Sequence, residues 1–185
     1  MRILLSWAGY PEELLDMMQE LKNYGHEITY WVGGVDGWKK SEPSGTVFHF
    51  YGDAMVAKPS PGVDVSKFTP PGKNLLKRLY KTESTVLSMM NRLSGFDGLC
   101  VDERKHIYYN LLQYWLGIFD KFKPEVVIFP NMPHFVYDFI IYELAHFLDV
   151  KTIFFDETRI PGKLLLYEDL EKGSEDLLRE LTQNK

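Results

Sequence analysis

Cysteine is what the sequence has least of. Cys100 stands alone among 185 residues, so no intrachain disulfide can staple the fold. With no CxxC partner, it reads as a buried structural thiol in a reducing compartment. Basic residues are outnumbered, 21 against 26 acidic, for a formal net charge of −5. That balance lacks the clustered cations that sequence-independent nucleic-acid binding needs. No apolar run comes near the roughly 20 residues that cross a bilayer. There is no leader pattern: the apolar run Met1–Trp7 is short, and Pro11, Glu12 and Glu13 follow at once. The five histidines are scattered without zinc or EF-hand ligand spacing, so no metal is expected. Glycine is short where a dinucleotide would need it. Gly9 is alone in the turn after the first strand, the fingerprint wants three, and Glu12 and Glu13 would repel a phosphate at the helix start. A nicotinamide or flavin cofactor is therefore not expected, nor is a GxSxG hydrolase.

What is present is apolar and aromatic: 45% hydrophobic residues and 15% aromatic, enough for a real core in one domain. Arg2–Trp7 reads as a strand and Pro11 opens a helix whose apolar face is Leu14, Met17, Met18 and Leu21, ended by Gly25. Glu27–Val32 and Thr46–Tyr51 read as further strands. From Gly52 to about Lys73 prolines and glycines replace periodicity, as in a long loop that acts as a lid or connector. Asn74–Leu93 has helical spacing, and Lys73, Lys77, Arg78 and Lys81 beside Leu76 and Tyr80 make a small basic amphipathic patch, which suits either peripheral membrane contact or a solvated face. Asp102 is positioned to cap a helix reaching Phe122, with Ile107, Leu111, Trp115 and Ile118 as its stripe. Glu168, Asp169 and Glu171 begin a final acidic helix, and 173–185 reads as a polar tail.

The chain is organised around 125–169. Val126–Phe129 is a run for a strand buried on both faces, Asn131 can cap a helix with Pro133 in its first turn, and Thr152–Phe155 is a second buried run. Strand, helix and strand of this length make a right-handed crossover between parallel strands. The fold class expected is a three-layer, Rossmann-like α/β domain over 1–172 with a mainly parallel sheet. Ligands of such sheets gather at the carboxyl ends of the strands. Three groups fall there: Trp7, Gly9 and Tyr10; Asn131, His134 and Asp138; and Asp156, Glu157, Thr158 and Arg159. His134 and Asp138, four apart, suit a general base oriented by a carboxylate, or equally a histidine and an aspartate at a helix end. Glu157 suits a base or sugar-hydroxyl acceptor. Arg159 offers a fork for an anion, or an internal ion pair.

The opening MRILLSWAGYPEELLDMMQELKNYGHEITYWVGG and the segment KPEVVIFPNMPHFVYDFIIYELAHFLDVKTIFFDETRIPGKLLLYED resemble the N-terminal, Rossmann-like half of GT-B glycosyltransferases, more narrowly those of capsular or surface polysaccharide biosynthesis. The resemblance implies the acceptor-side half of an enzyme; with no leader pattern or spanning run the expected location is the cytoplasm, the basic patch leaving peripheral contact with the inner membrane face as an option. The loops Trp7–Tyr10, Asn131–Asp138 and Asp156–Arg159 would face the catalytic cleft and hold a saccharide acceptor. His134 or Glu157 would take the acceptor's proton, and Asp138 would orient His134. Trp7, Gly9, Tyr10, Asn131, Thr158 and Arg159 would bind substrate. The nucleotide-sugar donor would come through a second domain or subunit, since 185 residues hold only one such half. The alternative is a non-catalytic α/β binding or scaffold domain for a partner protein or an anionic metabolite.

Overall fold

The computed structural model describes residues 1–7, 11–36, 39 and 45–183, with the backbone alone at 7, 11–14 and 157. The elements in chain order are β1 (Arg2–Trp7), α1 (Pro11–Asn23), β2 (Glu27–Gly33), β3 (Val47–Phe50), α2 (Tyr51–Met55), α3 (Lys73–Arg78), α4 (Tyr80–Met90), α5 (Val101–Phe122), β4 (Val126–Phe129), α6 (Val136–Phe147), β5 (Lys151–Glu157), β6 (Leu164–Tyr167) and α7 (Glu175–Gln183). The sheet runs β3-β2-β1-β4-β5-β6; β6 is antiparallel and the rest are parallel. It is a three-layer Rossmann-like fold. The order climbs outward from β1 to β3, then restarts beside β1 at β4, which leaves a crevice at the carboxyl ends of β1 and β4.

β4 is buried at all four residues, which is why it reads as an unbroken apolar run. One face of the sheet presents Leu4, Tyr30, Val32, Val127, Phe129 and Phe154 to α4, α5 and α6. The other presents Ile3, Leu5, Ile28, Trp31 and Ile128 towards Met18 of α1. Gly25 follows α1 at φ 76°, the left-handed conformation that glycine adopts most cheaply at a helix end.

Several expectations change. The run Asn74–Leu93 is two helices, broken at Leu79 (φ −93°, ψ 21°); its apolar spacing continues through the break because Leu75, Leu79, Val86 and Met90 are all buried in the same core. Asp102 does not cap α5. Cys100 holds that position, with its N–H given to the Glu103 carboxylate at 2.7 Å, and its thiol is consequently exposed rather than buried. Asn131 and Pro133 lie ahead of α6, whose N-cap is Phe135. Glu168–Glu171 is a turn, pinned by Asp169 accepting the N–H groups of Glu171 and Lys172. The supposed tail carries the last helix, α7.

The expected loop begins with helix α2; the rest, 56–72, is a strap laid on α5. Ser60 donates its N–H to the Tyr114 hydroxyl at 3.1 Å and its own hydroxyl to the Phe48 carbonyl at 2.7 Å. The Gln113 amide donates to the Phe68 carbonyl at 2.8 Å, and the Phe68 ring lies against Gly117, where a Cβ would come within 2.3 Å of it. These ties leave the strap's own Val63 buried in the core.

Candidate functional site

The crevice between β1 and β4 is built from the ends of three elements. Ser6 is the polar residue near the end of β1 and is buried. Six residues separate the end of β4 from the start of α6, whose first turn carries Tyr137 and Asp138, both buried. α2 follows β3 directly and brings Tyr51. Burial raises the Tyr137 pKa, with Asp138 and Tyr51 close enough to add to the rise electrostatically, while the neighbouring Ser6 hydroxyl works against it.

Asp138 is the chemically distinctive group. Only 5% of it is exposed. Its Oδ2 accepts the His134 backbone N–H at 3.2 Å, and the N–H groups of Phe135 and Phe139 also favour the carboxylate, as the start of a helix should. Its Oδ1 has no partner among the described residues. Desolvation outweighs the backbone donors and pushes the carboxyl up to about 8. A carboxyl poised near neutral pH with one buried, unpaired oxygen is what a general base or a proton-sharing acid needs.

His134 and Asp138 come together, but not as a dyad. Asp138 holds the backbone of His134, while the ring Nδ1 sits 3.0 Å from the Met132 carbonyl and the ring lies 4.3 Å from Phe135. The expected orientation of the imidazole by Asp138 therefore gives way to helix capping, because four residues of spacing at a helix entrance aim the carboxylate at free N–H groups rather than at a side chain. The His134 ring and Asn131 are exposed on the loop before α6. Asp156 and Glu157 belong to β5 itself, opposite Leu165 and Leu164 of β6. Thr158 closes the hairpin: its N–H donates to Lys163, its hydroxyl contacts the carbonyls of Ile160 and Lys163 at 3.0 Å, and it receives the Ile160 N–H at 3.1 Å. Its hydroxyl thus serves the turn, and Arg159 is exposed at the tip. Gly9 and Tyr10 lie outside the described residues, as do the side chains of Trp7 and Glu157.

Ser6, Tyr51 and Tyr137 were not singled out from the sequence. Ser6 did leave a signal, as one hydroxyl inside the apolar run Ile3–Trp7. Tyr51 and Tyr137 left none, since an aromatic at helical spacing reads as core. The two roomiest clefts described, about 640 Å³ beside Arg2, Lys123 and Glu125 and about 450 Å³ beside Lys151, Asp149 and Asp169, open at the opposite, amino edge of the sheet. Neither holds a buried unpaired polar group, so the chemistry favours the carboxyl edge over size. Among the described residues no three of His, Cys, Asp and Glu converge as metal ligands, and no helix is long and apolar enough to cross a membrane.

A second polar cluster ties the strap to the sheet, and its hydrogen bonds have a determined direction. His49 Nε2 lies 2.9 Å from the Lys58 carbonyl, which can only accept, so Nε2 carries the proton. Nδ1 then accepts from the Tyr30 hydroxyl at 2.9 Å. Tyr30 in turn accepts from the Tyr114 hydroxyl at 2.7 Å, and Tyr114 accepts the Ser60 N–H. Burial lowers the His49 pKa, against the pull of the Lys58 carbonyl and Asp53, and keeps the ring neutral as that pattern requires.

Comparison with known proteins was negative throughout: no family model, curated protein or solved structure matches the chain.

Proposed function

We propose that this domain is the acceptor-binding half of a GT-B glycosyltransferase of surface or capsular polysaccharide synthesis, working with a nucleotide-sugar donor bound on a second domain or subunit. The observation that carries the proposal is at the turning point of the sheet, where Asp138, a buried carboxyl pushed up to about 8 with one oxygen lacking a partner among the described residues, follows Tyr137, a buried phenol that Ser6 and Tyr51 approach. Hydroxyls and one carboxyl suit a polyhydroxylated ligand. Glu12 and Glu13 at the start of α1, with Gly9 alone before them, disfavour phosphate, which fits a half that holds acceptor rather than donor. The proton-accepting role passes from His134 to Asp138. Its Oδ1, buried in this structure, would take the proton of the attacking acceptor hydroxyl once the donor part and acceptor open the start of α6, while Asn131 and His134 line the rim. The domain would work in the cytoplasm, with Lys73, Lys77 and Lys81 towards the membrane face.

The test is a thermal-shift titration of the chain with nucleotide sugars, free nucleotides, and neutral and acidic saccharides. A ligand of the native state raises the melting temperature with concentration. The expected result is stabilisation by saccharides and none by nucleotides. Stabilisation by nucleotides alone overturns the assignment. In the enzyme completed with its donor part, Asp138→Asn should lower kcat by about two orders of magnitude or more while leaving acceptor affinity within severalfold.

A further inference from the structure

Two apolar faces are left without cover by the described residues. α7 is amphipathic: Leu177, Leu178 and Leu181 share a side at helical spacing, and all three are exposed, with no buried residue anywhere in the helix. β6 is the outer strand of the sheet, and on it Leu164 and Leu166, two apart and so on one face, are 60% and 49% exposed, next to Ile160 at 64% in the turn. Nothing in the strand guards this edge: Leu164–Tyr167 has no proline, no charge and no bulge. Each surface is what the other lacks, a leucine-lined helix and a leucine-lined sheet margin.

Their charges are complementary too. The hairpin 158–163 carries Arg159 and Lys163 and no acid, whereas 168–183 carries six acidic residues against two basic. Lys163 and Arg159 make no ion pair among the described residues, while Lys151, Lys172 and Arg179 are engaged by Glu168, Asp169 and Asp176, so the acidic segment's complement to the hairpin rests on its remaining acids. The acidic character of α7 also argues against an anionic membrane surface as its occupant.

We propose that the chain forms a twofold dimer in which α7 of each copy covers the β6 hairpin of the other. A helix offered outward and the margin it fits, both present on one chain, generate two identical contacts when the exchange is reciprocal. The cationic hairpin then meets the acidic segment twice, and the open edge is protected.

Sedimentation equilibrium of the full chain tests it. The expected result is a reversible monomer–dimer equilibrium. Leu177→Gln with Leu178→Gln and Leu181→Gln keeps helix propensity, and Leu164→Thr with Leu166→Thr keeps strand propensity. Each set should raise the dimer dissociation constant about tenfold or more, with unchanged circular dichroism. An equal mixture of the two sets should associate more tightly than either alone, because one helix and one hairpin remain intact across the pair. A monomer at all concentrations overturns the proposal. So does a dimer weakened by only one set, or a mixture no tighter than its parts; a dimer sensitive to the helix set alone would mean that α7 pairs with α7.

Discussion

At the scale of single residues the molecule sets two buried titrating groups against each other. The Asp138 carboxyl titrates near 3.8 when unfolded and at about 8 in the fold, so the native state holds its proton more tightly. Its contribution is full below the unfolded value and is lost as pH rises through 8. Across that window stability should fall by up to about 1.4 kcal/mol per pH unit from this group. Asp138→Asn keeps an acceptor for the His134 N–H and should flatten the alkaline fall, as measured by urea midpoints between pH 5 and 9. His49 acts in the opposite sense. Its folded pKa lies below 6.5, so its contribution is present above 6.5 and is lost as pH falls through the folded value. Protonation places a hydrogen on Nδ1, where Tyr30 now donates. His49→Phe should erase the acid limb and, by leaving the Tyr30 hydroxyl and the Lys58 carbonyl without that partner, cost about 1–3 kcal/mol at neutral pH. The sequence showed His134 and Asp138 as a spacing but hid their geometry, because a helix entrance supplies four unpaired N–H groups that compete for any nearby carboxylate. His49 gave no local clue at all: its partners, Tyr30, Lys58 and Tyr114, are 9 to 65 residues away or belong to other elements.

At the scale of elements, the strap is decided by one contact. Gly117 lies inside α5, where alanine is ordinarily about 1 kcal/mol better. Here the added Cβ would meet three Phe68 ring atoms at 2.3–2.6 Å, closer than any side chain tolerates, so the strap must lift. Gly117→Ala should destabilise by about 1–3 kcal/mol despite the propensity gain, and should open 56–72 to limited proteolysis. Phe68→Ala costs packing by itself but should make Gly117→Ala neutral or stabilising in its background, so a double-mutant cycle gives a large coupling if the ring is the obstacle. The strap's composition, rich in proline and glycine, read as a free lid because its anchors are single side chains without periodicity. Elements with a strong repeat were legible: β1, β2, β4, α1, α5 and the existence of α6. Those fixed by one backbone event were not. Leu79 breaks a helix without breaking its apolar spacing. α7 was hidden by a polar composition in which only Leu177, Leu178 and Leu181 carried the helical signal. Its leucines stay exposed, so burial never selected a longer apolar stripe.

At the scale of the whole molecule, strand order turns sequence position into a gradient of protection. β1 and β4 are hydrogen-bonded on both sides and lie at the centre, although they are 124 residues apart in chain order from Arg2 to Val126. β3 and β6 are the margins, each paired on one side only. Central strands can release their amides only when the sheet as a whole comes apart, whereas margins can detach while the rest survives. Native-state hydrogen exchange should therefore rank β1 and β4 as most protected, β2 and β5 next, and β3 and β6 least, with the β1 and β4 amides exchanging at the global unfolding free energy. The order is also why the two ends of the chain cannot fold independently. β1 pairs β4 across that long separation, and the site that brings Ser6 near the start of α6 exists only once the pairing is made. If β1 exchanged as readily as the margins, the central pairing and the site built on it would both be wrong. If β6 proved as protected as β4 at concentrations where the chain is monomeric, its edge would be covered from within the chain rather than by a second copy.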